Sequence, residues 1–128
     1  MRPLMCLMTL ALLSASSAGI ARDKKPDNLR PAGEAVNCVQ LRQIQSTRVL
    51  DDKTIDFHML GGKVYRNTLP HSCPGLGFEE KFMYKTSLSQ LCSVDIITVL
   101  HNAGGGIDRG ASCGLGKFQP MAKAPAGG

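Results

Sequence analysis

Four widely spaced cysteines constrain the fold of this chain more than any other feature of its sequence. They are Cys38, Cys73, Cys92 and Cys113, and the fifth cysteine, Cys6, lies in an apolar N-terminal run. An even set of cysteines in an oxidising compartment predicts two disulfides, and four cysteines allow three pairings. Crosslinks over such intervals stabilise a fold by about 3–4 kcal/mol each in the loop-entropy model. The sequence therefore predicts a small domain crosslinked by two disulfides, with the pairing open.

The first 21 residues have the three parts of an export signal. Arg2 provides a short positive start, Leu4 to Leu13 form an apolar run, and Ser14 to Ala21 are mostly small residues suited to a signal peptidase. The apolar run has about ten residues, whereas a helix needs roughly 20 to cross a bilayer. We expect residues 1–21 to be a signal peptide and the mature protein to be exported to the periplasm or the extracellular space, without a membrane span.

Two other roles for the cysteines are less well supported. Structural zinc sites usually bring ligands in close pairs such as C-x-x-C, and the closest such pair here is His71 with Cys73. A nucleophilic cysteine needs a free thiol and a neighbouring base, and an even set leaves no thiol free. We therefore predict no metal, no cofactor and no catalytic residue.

The charge of the chain is modest. Its net charge is +5, and the basic residues are scattered apart from Lys24 and Lys25. Nucleic-acid binding usually clusters Lys and Arg on one face or helix. We therefore expect no nucleic-acid partner.

Composition divides the rest of the chain into three parts. Residues 22–36 are charged and contain two prolines but no apolar periodicity, which predicts a flexible leader. Residues 121–128 are almost free of bulky side chains, which predicts a flexible tail. Residues 37–120 hold the four cysteines and form the predicted single domain.

The clearest structural signal is a β-hairpin at Gly61-Gly62, where glycine can supply the positive φ of a tight turn. A two-residue loop would place Phe57 opposite Arg66. A three-residue loop of Gly61 to Lys63 would pair Ile55 with Leu69 and Met59 with Tyr65. We favour the second register because it makes one face of the hairpin apolar.

The opposite face of that hairpin is the candidate binding face. It would carry Asp56, His58 and Arg66 together. OB-like barrels often bind ligands on a strand face through aromatic side chains, and Tyr65 and Tyr84 are the available platforms. We therefore predict a binding face made of these five residues.

Further strands and turns predict an all-β fold. One short helical turn fits residues 86–95, since Leu88 and Leu91 are three apart. Five or six short strands joined at Gly or Pro turns predict a small closed or partly open barrel, OB-like or SH3-like. The other predicted strands are Val39–Val49, Lys81–Thr86, Asp95–His101 and Cys113–Phe118.

The glycine-rich segment "HNAGGGIDRGASCGLGK" does not match a phosphate-binding loop. The Walker pattern needs a glycine where Ala111 stands and a Ser or Thr where Phe118 stands. We expect a long flexible hairpin loop instead. No G-x-S-x-G nucleophile motif occurs in the chain.

The ordered pattern of the domain resembles a known family. The matching strings are "CVQLRxIxSTRVLDDKTIDF", "GGKVYRNTLPHSCPGL", "FMYKTSLSQLCSVDIITVL" and "CGLGKFQPM", which together span Cys38 to Met121. The family consists of small exported bacterial proteins that carry only a domain-of-unknown-function label. The resemblance implies a bacterial protein of the envelope or the exterior, and it implies no activity, ligand or catalytic residue.

These observations favour a non-catalytic binding or structural module of the bacterial cell envelope, whose partner is another exported protein or an envelope component. One alternative is a metal-binding protein or small enzyme that uses histidines with nearby aspartates. Another is an inhibitor of an envelope hydrolase that presents the loop Ala103 to Ser112 rigidly. The residues of the metal or enzyme alternative are His58, His71, His101, Asp56, Asp95 and Asp108.

Overall fold

The computed structural model describes residues 27–124, so the predicted signal peptide, residues 22–26 of the predicted leader and residues 125–128 of the predicted tail lie outside it. The described chain is mainly β, as predicted. It contains one 3-10 turn, Leu41–Gln43, and one four-residue helix, α1, at Leu76–Glu79. The strands are β1 (Leu29–Pro31), β2 (Cys38–Gln40), β3 (Ile44–Val49), β4 (Thr54–Met59), β5 (Val64–Thr68), β6 (Phe82–Tyr84), β7 (Gln90–Cys92), β8 (Ile96–Ala103), β9 (Gly106–Gly114) and β10 (Phe118–Lys123).

The largest sheet has five strands in the order β1-β10-β5-β4-β3. It extends past both boundaries of the predicted domain, because Leu29–Pro31 pairs with Met121–Lys123. Val36 also forms a bridge to Phe118. Main-chain pairing overrides the polar, proline-containing composition that predicted a leader, since β-pairing needs backbone groups rather than apolar side chains.

The β4–β5 hairpin forms at the predicted glycines but in a different register. Ile55 lies opposite Asn67 and Phe57 opposite Tyr65, and the loop consists of Leu60 to Gly62. The predicted pairing of Ile55 with Leu69 was therefore wrong by two residues. A shift of two keeps each side chain on its predicted face, because strand side chains alternate with a period of two.

Two smaller sheets complete the fold, one with β2 and β7 and one in the order β6-β8-β9. The residues predicted to form a helical turn instead contain β7, whose Leu91 pairs with Val39. The predicted strand Cys113–Phe118 is split by a turn, so that Cys113 ends in β9 and Phe118 starts β10. The predicted long strand Val39–Val49 is likewise interrupted at Leu41–Gln43.

The glycine-rich segment is a strand hairpin rather than a long loop. Its strands β8 and β9 pair as far as Ala103 with Gly106, so that only Gly104 and Gly105 form the turn. Both have positive φ, at 53° and 97°, which glycine adopts without steric cost. The loop Ala103 to Ser112, predicted to be presented to a hydrolase, therefore consists mostly of paired strand.

One core joins the three sheets. Phe57 on β4 packs edge-on against Phe118 on β10, with ring centroids 5.3 Å apart, and against Phe82 on β6 at 6.4 Å. Val39 and Leu91 bring the two-stranded sheet into the same buried cluster. No closed barrel is found in the described part of the chain. No helix in residues 27–124 is long and apolar enough to cross a membrane.

Both predicted disulfides are present. Cys38 bonds Cys92 across the β2–β7 pair, and Cys73 bonds Cys113, which joins the segment before α1 to β9. Cys73 is fully buried in the core. The structure thus chooses one of three pairings that the sequence left open, because β2 pairs with β7 in a register that places Cys38 opposite Cys92.

Candidate functional site

Arg66 on β5 is the one side chain in residues 27–124 that takes part in two ion pairs. Its guanidinium donates to both carboxylate oxygens of Asp56, at 2.8 and 3.0 Å. It also donates to both carboxylate oxygens of Asp27, at 2.7 and 3.2 Å. Two forked ion pairs of this kind are more directional and stronger than ordinary neutral hydrogen bonds. Arg66 therefore links the N-terminal segment to the centre of the large sheet.

Strand register brings these groups together. Asp56 on β4 lies directly opposite Arg66 on β5 and opposite Arg48 on β3. His58 lies two residues along β4 and so occupies the same face. Asp27 belongs to neither β4 nor β5. It precedes β1, which pairs with β10, and β10 in turn pairs with β5. The face that the sequence predicted for Asp56, His58 and Arg66 is thus the face on which the structure places them.

The cluster alters the titration of two of its members. Hydrogen bonds from Arg66, and then from the backbone of Leu29, hold the pKa of the Asp27 carboxyl below its usual value. Hydrogen bonds to Asp56 and then Asp27 raise the pKa of Arg66. Both shifts favour the charged forms, since each partner stabilises the opposite charge of the other.

A cavity of about 190 Å³ opens beside this cluster. It is smaller than the roughly 300–1,000 Å³ typical of pockets that enclose a drug-sized ligand. The cavity therefore suits one end of a larger molecule or a small group. It is lined by Asp27, Asn28, Leu29, Arg48, Leu50, Asp56, His58 and Arg66.

The charges around the cavity are unequally paired. Asp56 is almost fully buried, with 4% of its side chain exposed, and Arg66 is 16% exposed, whereas Asp27 is 49% exposed. Arg48 forms no salt bridge with any residue in 27–124, although it lines the cavity. The Asp56–Arg66 ion pair is thus largely buried and held in place, whereas the charges of Arg48 and Asp27 are accessible to a ligand.

The two predicted aromatic platforms lie elsewhere. Tyr65 neighbours Arg66 in sequence and so points to the other face of the sheet, where it packs against the core. Lys63 Nζ lies 5.0 Å from the centre of its ring. Tyr84 on β6 belongs to a different sheet and also packs against the core. The structure does not place either tyrosine with Asp56, His58 and Arg66.

The other two histidines are separated from this site. His101 on β8 hydrogen bonds through Nδ1 with Glu79 Oε1 at 3.0 Å, and Asp108 lies opposite it on β9. His71 is exposed in the segment before Cys73. Asp95 accepts a hydrogen bond from the backbone N–H of Cys92. Among the described residues, no three His, Cys, Asp or Glu side chains form a group able to hold a metal ion.

Sequence reasoning missed Asp27 and Arg48 as members of the site. Asp27 lies in the segment predicted to be flexible, and its contact with Arg66 spans 39 positions. Nothing local in the sequence signals such a contact. Arg48 could have been found from the sequence, because alternation along the predicted strand Val39–Val49 places it on the outward face. That Arg48 lies opposite Asp56 became known only from the β3–β4 register.

The arrangement can bind a charged group, but Arg66 has few hydrogen-bond donors left for a ligand. Its guanidinium already donates four hydrogen bonds to carboxylates, out of five N–H groups in total. A ligand would therefore contact Arg48 and His58 first, or would replace the exposed carboxylate of Asp27 on Arg66. Comparison of the chain with family models, with curated proteins and with solved structures gives no significant match.

Proposed function

We propose that this chain is an exported, non-catalytic binding module of the cell envelope, and that the Arg66 cavity binds a carboxylate group of an envelope component. The observation that carries the proposal is the double ion pair of Arg66, in which Asp27 occupies a half-exposed position at the cavity. A carboxylate from another molecule matches the same donors. Arg48, which has no ion pair within residues 27–124, would supply the additional positive charge.

The compartment part of the proposal is supported by the crosslinks. Two disulfides in a chain of 128 residues are typical of oxidising compartments. The N-terminal pattern of an export signal agrees with this assignment, and so does the resemblance to small exported bacterial proteins. Carboxylates are common in such surroundings, on peptide termini and on acidic sugars. The OB-like or SH3-like barrel stays a prediction, supported by the mainly β content and the single core of residues 27–124.

The test is a titration followed by backbone amide NMR, with acetate and N-acetylmuramic acid as probes. We expect both probes to shift the signals of β4, β5 and residues 27–29. Arg48→Ala should weaken binding by about tenfold or more, because a hydrogen bond to a charged group is worth roughly 1.5–3 kcal/mol and each 1.4 kcal/mol is a factor of ten. Asp27→Asn should strengthen binding, since it removes the competing charge.

Arg109→Ala is the matched control. Arg109 is an exposed arginine on β9, in a different sheet, so its removal changes the net charge equally but leaves the cavity intact. Binding that falls equally in Arg48→Ala and Arg109→Ala would indicate attraction by net charge alone. That result, or a lack of shifts with either probe, would refute the carboxylate site.

A further inference from the structure

A second surface, which shares no residue with the lining of the Arg66 cavity, is the turn around α1. Phe78 in this helix is 83% exposed. It is the one Phe or Tyr side chain in residues 27–124 that is mostly in solvent, since Phe57 and Phe118 are buried and the others are partly buried. A singly exposed apolar residue is normal on a protein surface. What distinguishes Phe78 is the set of contacts that holds its turn in place and the charge around that turn.

The turn is rigid because several independent contacts hold it. The Cys73–Cys113 disulfide ties its start to β9, and Leu76 inserts fully into the core. The N–H of Gly77 donates to Asp52 Oδ1 at 2.7 Å, and the N–H of Cys73 donates to the Asp52 carbonyl at 2.7 Å. Phe78 therefore follows directly on residues that cannot move far.

Close packing reinforces those bonds. A side chain at Gly77 would place its Cβ 3.0 Å from backbone atoms of Asp51 and Asp52. After Phe78, Glu79 hydrogen bonds with His101 at 3.0 Å. Glu80 then adopts a φ of 57°, the one left-handed residue other than glycine in the described chain. Glu80 is the C-cap of α1, and its N–H donates to the Leu76 carbonyl at 2.9 Å, which is a common way for a helix to end and fixes the exit of the turn.

The charge around Phe78 indicates what kind of surface it meets. Residues 51–53 and 79–81 contain four acidic residues and two lysines, whereas the whole chain has a net charge of +5. The turn is thus locally acidic on a basic protein. Anionic lipid surfaces attract basic segments and repel acidic ones, so this turn is poorly suited to a bilayer. A protein pocket with a basic rim complements it.

We infer that Phe78 is the anchor of a protein-docking surface, and that its partner is an exported protein with an apolar pocket rimmed by Lys or Arg. A fixed exposed ring loses little conformational entropy on binding, which is the advantage of a preorganised anchor. Buried aromatic anchors are frequent among the residues that dominate interface energies. The exported nature of the partner rests on the proposed compartment of this chain, whereas the docking surface does not depend on the Arg66 cavity, since the two surfaces share no residue.

The first experiment identifies the partner by photocrosslinking in cells that export the full chain. The photoreactive residue p-benzoylphenylalanine replaces Phe78, where it keeps an aromatic ring, and replaces Val94 in a control. Val94 is a matched control because it is 87% exposed. We expect one discrete protein adduct from position 78 and none from position 94. Equal adducts at the two positions, adducts with lipid, or no protein adduct from position 78 would overturn the inference.

The second experiment measures affinity with the purified partner. Phe78→Ala should weaken binding about 30-fold or more, the loss expected when an anchor worth about 2 kcal/mol is removed. Phe78→Leu should recover part of that loss, and Val94→Ala should change nothing. Glu80→Lys should weaken binding and reduce its dependence on salt. An unchanged affinity in Phe78→Ala would overturn the inference.

A vesicle assay separates the lipid alternative. Cosedimentation of the wild type, but not of Phe78→Ala, with vesicles of phosphatidylethanolamine and phosphatidylglycerol would assign Phe78 to a membrane surface and overturn the protein partner. We expect no cosedimentation of either protein. Because all variants change exposed residues, folding is checked in each by its thermal unfolding.

Discussion

At the scale of single residues, position 66 shows how one side chain can connect distant parts of a chain. Arg66 holds a buried carboxylate, Asp56, and an exposed one, Asp27, at the same time. The two contacts contribute differently to the free energy of unfolding. The buried Asp56 has lost its hydration, so its charge must be compensated by Arg66, whereas an exposed ion pair contributes at most about 1 kcal/mol. Asp27 is therefore the partner that can be exchanged without loss of the fold.

The Asp27 contact predicts a specific pH dependence of stability. Its folded pKa is lowered by the hydrogen bonds from Arg66 and Leu29, so the carboxylate stabilises the fold above the unfolded pKa of about 3.9. This contribution is lost as the pH falls through the folded pKa. Asp27→Asn should therefore lower the free energy of unfolding at neutral pH by at most about 1 kcal/mol.

The measurement is urea unfolding of both proteins at neutral and at acidic pH. The difference between them should begin to shrink near the unfolded pKa of about 3.9 and should vanish once the pH lies below the lowered folded pKa, where the wild-type carboxylate is protonated in both states. Asp56 is present in both proteins, so the difference isolates Asp27. A difference that grows as the pH falls would contradict the assignment.

At the scale of elements, the connection between β9 and β10 is positioned by the Asn67 side chain, whose amide hydrogen bonds to the backbone of Gly116 as a neighbouring strand would. Asn67 on β5 is fully buried; its Nδ2 donates to the Gly116 carbonyl at 2.7 Å, and its Oδ1 accepts from the Gly116 N–H at 2.8 Å. Gly116 approaches so closely that a Cβ there would lie 2.2 Å from the Thr68 carbonyl oxygen. The turn that separates Cys113 from Phe118 thus depends on a polar residue of another strand.

Removing this contact should destabilise the turn. Asn67→Ala leaves the N–H and the carbonyl of the partly buried Gly116 without their partner, at a cost of up to about 1–3 kcal/mol each. Asn67→Asp should cost more, since a carboxylate cannot donate to the carbonyl and would be buried without a counter-charge. Chemical denaturation measures both, with the exposed Asn102→Ala as the control. A loss no larger than that of the control would contradict this role for Asn67.

The elements also show why strand positions were easier to predict than their limits. Alternation of apolar and polar residues identified β4 and β5 and the face of each side chain, because alternation depends only on the chain itself. It could not identify β1, whose "LRP" has no apolar pattern and which exists because β10 offers free backbone groups. Nor could it separate a glycine-rich loop from the paired β8–β9 hairpin.

At the scale of the whole molecule, three sheets share one small core and the disulfides connect their parts. The two-stranded β2–β7 sheet is too small to be stable by itself, yet Cys38–Cys92 crosslinks it directly. Cys73–Cys113 connects the α1 turn to the three-stranded sheet. The crosslinks therefore lie where the sheets have the fewest strands.

The second crosslink should account for a large part of the stability. The cysteines of Cys73–Cys113 are 40 positions apart, so the double variant Cys73→Ser, Cys113→Ser should lose about 4 kcal/mol in the loop-entropy model. Denaturant unfolding under non-reducing conditions measures this loss. Crosslinking Phe78 to a partner should also weaken in this variant, because the turn is freed. A loss below about 1 kcal/mol would contradict the chain-entropy argument.

By itself the sequence determined the β class, the two disulfides and the shared face of Asp56, His58 and Arg66. Each of these depends on composition, on an even cysteine count or on a period of two, which are properties of the chain alone. Only the tertiary structure decided the pairing of the cysteines, the contact of Asp27 with Arg66 and the exposure of Phe78. These depend on which strands meet and in which register, and such contacts are selected by the packing of the whole core.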